Sequence, residues 1–331
     1  LKLLTWSSDI HFCVGSAPVH YMSAALINNS AGQSSTAGGD LTRGGALFLS
    51  QCSPVLVDTK LHGNRAGQGG GAFVGAGAVL TFNTSEAVGN EATSNAGGAI
   101  YCDECDALEV RGSMFAKNRA QHDGGAIAVT LPAKRLRIET TAFTANSATT
   151  GNGGALHTVL REPVTLTLGA GVQFRHNTAP KGGGGAAYWS AIDVATIPMA
   201  RLIIDEASLQ PAGSLTTEGR NSALYGDGVA TNGTFLSLDP PMLMVPQRRN
   251  APFSTGDPSR KLTVRLLDFY GQIVASDNLT AIAFEANSTS ARSSGPLSVQ
   301  LVEGVGSMQL AGLSALATVP LPVASSPRRW L

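Results

Sequence analysis

Two groups of side chains have types and spacing that could do chemistry. Cys102-Asp103-Glu104-Cys105 is a C-x-x-C, followed by Asp106 and Glu109. Thiolates at this spacing hold zinc when a second matching pair completes a tetrahedron. The other two cysteines, Cys13 and Cys52, supply no such pair. No β-α-β pattern surrounds the motif, so a thioredoxin-like redox role lacks its frame. Asp103, Glu104, Asp106 and Glu109 offer oxygen ligands of the kind calcium takes. A solvated turn beside a disulfide explains them more simply, and neither metal nor cofactor is expected. Three uses of the cysteines stay open: disulfides, buried thiols and metal. Cys52 and Cys105 fall at the same place in a repeat two periods apart, ~10 Å in a stacked fold, too far for a direct bond. Cys102–Cys105 or Cys13–Cys52 pairing is left as the disulfide expectation.

The six histidines, His11, His20, His62, His122, His157 and His176, form no paired ligand spacing. Glycoside hydrolysis needs two carboxyl groups at a defined separation. In register, Asp58 is expected beside Thr84, Arg111 and Ile138, and Asp103 beside Ser50 and Thr130. No acidic ladder results, and no catalytic residue is expected. Gly67-Gln68-Gly69-Gly70-Gly71 is not followed by Lys-Ser/Thr or by a helix, so it is not a phosphate loop. Tyr188-Trp189 is expected to pack at an edge or in the core, and is the pair that would stack on a sugar if the chain is carbohydrate-active.

The elements that position these residues are set by a repeat. Gly-Gly-Ala recurs at Gly44-Gly45, Gly70-Gly71, Gly97-Gly98, Gly124-Gly125, Gly153-Gly154 and Gly184-Gly185, in steps of 26, 27, 27, 29 and 31 residues. Leu47, Phe73, Ile100, Ile127, Leu156 and Ala187 follow the copies. Before them stand Asn64, Asn90, Asn118, Asn146 and Asn177, each with Ala two residues on, and often Phe three residues earlier (Phe115, Phe143, Phe174). Asn29 and Asn221 mark an earlier and a terminal copy. Short β-branched segments such as Val164-Thr165-Leu166-Thr167-Leu168 lie between the glycine turns. Glycine pairs in every period disfavour helices at ~1 kcal/mol per interior glycine. A solenoid stacks each position on itself, which makes the repeated Gly, Asn and Phe structural: glycine for tight turns, Asn for buried turn hydrogen bonds, Phe for the core.

The Phe-x-x-Asn and Gly-Gly-Ala-Ile/Leu pairing resembles the repeat of the chlamydial polymorphic outer-membrane proteins, and similar repeats of algal and protist surface proteins, over residues 26–235. The resemblance implies a right-handed, pectin-lyase-like β-helix with an adhesin role. That family's outer-membrane barrel has no counterpart here, so membrane insertion is not implied.

The composition agrees with a β-rich extracellular protein. Among 331 residues, 39 are glycine and 14% are charged, with 23 Lys plus Arg against 23 Asp plus Glu. A neutral chain whose Arg248-Arg249 and Arg328-Arg329 are isolated pairs has no footprint for nucleic acid. The uncharged stretch Gly304–Ala324 holds Pro320 and Pro322 and reads as strands, not as a membrane span. Sequons at Asn28, Asn83, Asn232, Asn278 and Asn287 are glycosylation candidates.

The expected class is all-β: a right-handed parallel β-helix over 1–235, with seven to eight coils. A Pro-rich linker follows at 236–260, then a small, incomplete module resembling an immunoglobulin-like β-sandwich at 261–324, then a tail at 325–331. Asp268-Phe269-Tyr270-Gly271, closing the apolar run Leu262–Leu267, carries that second resemblance. The functional expectation is a non-enzymatic secreted or cell-surface scaffold or adhesin, part of a larger polypeptide, whose partner is a cell-surface or matrix glycan or protein. A polysaccharide lyase or hydrolase is the alternative.

Overall fold

A computed structural model describes residues 5–6, 11–15, 19–31, 42–130, 135–160, 166–169, 171–191, 202–204, 220–239, 261–283 and 298–309. Every regular element among them is a strand. They divide into two units, Leu1–Thr231 and Asn232–Leu331.

The first unit is a parallel β-solenoid. Its strands assemble into an eight-stranded, two seven-stranded and a six-stranded sheet. The coil from Gly44 shows the path. It runs through Leu47–Ser50 in the eight-stranded sheet, Val55–Val57 and Lys60–His62 in the seven-stranded sheets, and Arg65–Ala66 in the six-stranded sheet. The chain then re-enters the eight-stranded sheet at Ala72–Val74, paired in parallel with Leu47–Leu49. The eight-stranded sheet joins eight successive coils, beginning at His11–Val14 and ending at Val229–Thr231.

The two glycines of each turn serve different ends. Gly97 has φ of +71°, a left-handed conformation that costs other residues strain. Gly98 has no such φ, but a Cβ there would lie 2.1 Å from the carbonyl oxygen of Gly125 in the next coil. The first glycine makes the turn; the second lets coils touch. The following alanines, Ala46, Ala99, Ala126, Ala155 and Ala186, are wholly buried.

One copy lies one residue from its expected place. Leu47, Ala72 and Ile100 share a column, so the turn glycines of the second copy are Gly69 and Gly70 and Gly71 takes the alanine place. Gly69 has the positive φ of +60°. The true steps around it are 25 and 28 residues. Phe73 consequently belongs to an outward column with Phe48 and Tyr101, not to the inward apolar column. Asp58 likewise aligns with Thr84, Gly112 and Thr140, not with Arg111 and Ile138. Added residues at the preceding corner shift the register of later coils.

The core is a set of ladders. Phe115, Phe143 and Phe174 stack with ring centroids 5.1 and 4.9 Å apart and planes within 15°. Where that column holds only Ala87, Phe82 enters from the neighbouring sheet and meets Phe115 at 5.4 Å. Aliphatic columns such as Leu47, Ala72, Ile100, Ile127 and Leu156 fill the opposite wall.

The asparagines form a continuous hydrogen-bonded ladder from Asn29 to Asn221. The Oδ1 of Asn118 accepts from the backbone N–H of Asn90 (3.0 Å) and from its Nδ2 (2.9 Å). The Nδ2 of Asn118 donates to the Ala87 carbonyl and to Asn146 Oδ1, both at 2.9 Å. The same pattern recurs from Asn64 to Asn177, so one amide satisfies the buried turn of each coil. A second ladder lies five residues earlier: Thr59, Ser85, Ser113 and Thr141, all buried. Ser113 Oγ accepts from Ser85 N–H at 3.2 Å and Ser85 Oγ from Thr59 N–H at 3.0 Å.

The second unit holds an antiparallel three-stranded sheet, with Lys261–Leu267 between Phe235–Asp239 and Val305–Gln309. Ala281–Ala283 pairs antiparallel with Ser298–Gln300. Leu262, Val264, Val299 and Leu301 form its small core. The strand Phe235–Asp239, which straddles the expected edge of the linker, is by pairing part of this unit. The Oδ1 of buried Asp268 accepts from Tyr270 and Gln272 N–H, both at 2.9 Å, and fixes the Asp-Phe-Tyr-Gly turn. The remainder of the linker, the 310–324 stretch and the tail lie outside the described residues. Among the described residues no helix is long and apolar enough to cross a membrane.

Candidate recognition face

Alternation along the strands of the eight-stranded sheet sends one residue per coil outward. In successive coils these are Phe12, Phe48, Phe73, Tyr101, Ala128, His157, Tyr188 and Ala230. Six of these eight are aromatic. Phe12 and Phe48 lie 5.6 Å apart, Phe48 and Phe73 5.4 Å, and Phe73 and Tyr101 5.7 Å between centroids. Ala128 interrupts the row, which resumes with His157 stacked on Tyr188 at 5.5 Å. Coil spacing near ~4.8 Å brings rings in one column into contact, and offset or tilted pairs suit their quadrupoles.

The row changes character along its length. Phe12 is 70% exposed and Val14 beside it is equally open. Phe48 is half-buried, and the Arg43 guanidinium caps Phe73 at 4.7 Å from the ring centroid. Ala96, from the turn before Gly97, packs over Phe73, Tyr101 and Ala128 and leaves Phe73 2% exposed. Burial raises the pKa of the Tyr101 phenol, whose oxygen lies within hydrogen-bond distance of Thr130 Oγ1, 3.0 Å away. Burial lowers that of His157, against the opposing pull of Asp123. The row is thus sealed at its centre and open at the end formed by the first coils.

The acidic side chains are engaged singly. Asp103 accepts from Thr130 Oγ1 at 3.1 Å, Asp123 from the Asn152 N–H at 2.7 Å, and Glu109 pairs with Arg135. Among the described residues, no three His, Cys, Asp or Glu side chains converge as a metal site.

Cys102 and Cys105 form a disulfide, with Cα atoms 5.5 Å apart. Cys13 and Cys52 are buried free thiols, and Cys52 Sγ donates to the Cys13 carbonyl at 3.1 Å. Trp189, paired in sequence with Tyr188 as a sugar-stacking candidate, points inward and is buried in the solenoid core; Tyr188 points outward but is covered. Of the sequons, Asn28 and Asn278 are exposed, while Asn83 and Asn232 are half-buried. The Ser85 hydroxyl of the Asn83 sequon is spent on the Asn83 carbonyl at 2.6 Å. Asn287 lies outside the described residues.

Neither the hydroxyl ladder nor the aromatic row is among the sequence-predicted sites. The ladder has a sequence signal, a Ser or Thr five residues before Asn64, Asn90, Asn118 and Asn146. The row has none until the register is fixed, because its members differ in type and sit beside inward apolar residues. No protein-family model, curated protein or solved structure matches the chain.

Proposed function

We propose that this chain is a non-enzymatic scaffold of a secreted or cell-surface protein, its solenoid presenting the open end of the aromatic row to a surface or matrix glycan or protein. The observation that carries the reading is the division of labour between repeated and unrepeated residues. Every recurring Gly, Asn and Phe is consumed by coil stacking, whereas Phe12, Phe48 and Arg43 combine exposed aromatic surface with a cation on one face. Aromatic faces of this kind suit both sugar rings and protein side chains. The disulfide and the exposed sequons support an oxidising, extracellular setting. The polymorphic outer-membrane-like repeat, right-handed and pectin-lyase-like, is the class we assign to the solenoid on the motif and its Asn ladder.

The test is binding of the whole chain to an immobilised glycan and matrix-protein panel, with Phe12→Ala as the variant. The reading expects at least a tenfold loss of affinity with unchanged far-UV circular dichroism. Binding unaffected by Phe12→Ala refutes this face. Turnover of a polyuronate or neutral glycan, with or without calcium, refutes the non-enzymatic reading.

A further inference from the structure

Cys13 and Cys52 occupy related positions in adjoining coils. Cys13 is in register with Leu49, Leu49 with Val74, and Val74 with Cys102. Cys52 follows Leu49 by three residues, as Cys105 follows Cys102. The pair therefore repeats the two positions bridged in Cys102–Cys105, with its members divided between the first and second coils. Both thiols are buried in the solenoid core, and Cys52 Sγ already lies 3.1 Å from the Cys13 carbonyl. The polar atoms facing them are Tyr21, which is partly buried against the same core, and the Ser50 backbone.

We infer that Cys13 and Cys52 are the site of a second disulfide, one that ties the first coil of the solenoid to the second. Cys102–Cys105 closes a short loop within one coil; this bond spans 39 residues and crosses a coil boundary. It fixes the coil that bears Phe12, whose strand has a neighbour on only one side of its sheet among the described residues. The inference stands independently of any ligand.

The chemistry is two thiol–disulfide exchanges with a disulfide oxidant such as oxidised glutathione. One cysteine thiolate attacks the oxidant, forming a mixed disulfide and releasing one glutathione thiolate. The second cysteine thiolate then attacks the protein sulfur and releases the other. Two protein thiols lose two protons and two electrons, and one oxidant disulfide is reduced to two thiols. Burial, with the adjoining Cys13 thiol, pushes the Cys52 pKa from about 9 up to about 12. In the closed solenoid its reactive thiolate is disfavoured, and burial in the core keeps an oxidant from both sulfurs. Exchange therefore proceeds while the first coil is unseated, during folding, and stalls once the solenoid is closed.

Trypsin separates the possibilities, because Leu3–Arg43 carries Cys13, Gly44–Lys60 carries Cys52, and Ala66–Arg111 carries both Cys102 and Cys105. The full chain is reduced, unfolded in urea and refolded in a glutathione redox buffer. It is then alkylated in denaturant and digested without reduction for mass spectrometry. The expected product joins Leu3–Arg43 to Gly44–Lys60 and separates on reduction. Cys13 and Cys52 recovered as singly alkylated peptides, while Ala66–Arg111 holds its internal disulfide, overturn the inference, as does either cysteine linked elsewhere. Reduced protein that is already folded should cross-link at least tenfold more slowly in the same buffer. Equal rates overturn the assignment of the step to folding.

Discussion

Asn118→Ala tests the physical basis of the solenoid directly. The Asn118 side chain is 1% exposed and makes four hydrogen bonds. Its removal leaves two buried donors without an acceptor, the backbone N–H and one Nδ2–H of Asn90. A buried unsatisfied group costs about 1–3 kcal/mol, so the substitution should destabilise the solenoid by about 2–6 kcal/mol. Asn221→Ala supplies the control. Asn221 accepts the same two bonds from Asn177, but it is only part-buried at the last rung, where water can replace it. It should cost under half as much. Urea unfolding followed by far-UV circular dichroism gives both free energies, and amide exchange at Asn90 reports the local opening. A cost below about 1 kcal/mol for Asn118→Ala, or equal costs at the two positions, would refute the view that buried amides hold the turns.

The turn glycines and the buried histidine yield two more expectations. Gly98→Ala should force coils apart and unfold the protein several kcal/mol sooner, since its Cβ meets the Gly125 carbonyl at 2.1 Å. Gly89→Ala, with φ of +65° and nothing within 4 Å, should cost only about 1–2 kcal/mol of backbone strain, and thermal melts of the two proteins measure the difference. The folded-state pKa of His157 is lowered by burial, so below its ordinary value near ~6.5 the unfolded chain binds the extra proton. Stability should therefore fall as pH drops below that value, until the folded pKa is passed. His157→Gln should flatten this part of the urea-midpoint profile between pH 7 and 5; an unchanged slope would assign it to other groups.

The sequence makes the repeat legible because stacking demands the same solution in every coil. The two flanking asparagine copies, Asn29 and Asn221, take the end rungs of the ladder as their spacing suggests. The terminal copy even shows why the glycines are paired. Gly226 keeps the positive φ of +64°, while Asp227 stands at the second position, where no later strand stacks in that sheet among the described residues. Its side chain is free to accept from Ala223 N–H at 3.0 Å.

The period, the all-β class, the asparagine ladder and the turn glycines of every copy but the second were legible in the sequence, because they follow from local backbone chemistry repeated along the chain. Which way the unrepeated residues face depends on the register between stacked coils. Three consecutive glycines at 69–71 leave the register open by one residue, and in a strand one residue exchanges inside for outside. That step moved Phe73 onto the outer face, where it joins Phe48 and Tyr101 in contact across coils. Trp189 lies within the core because strand alternation places it in register with inward Thr158. The meeting of Cys13 with Cys52 likewise depends on stacking between coils, because 39 residues of chain separate two side chains that the solenoid places side by side.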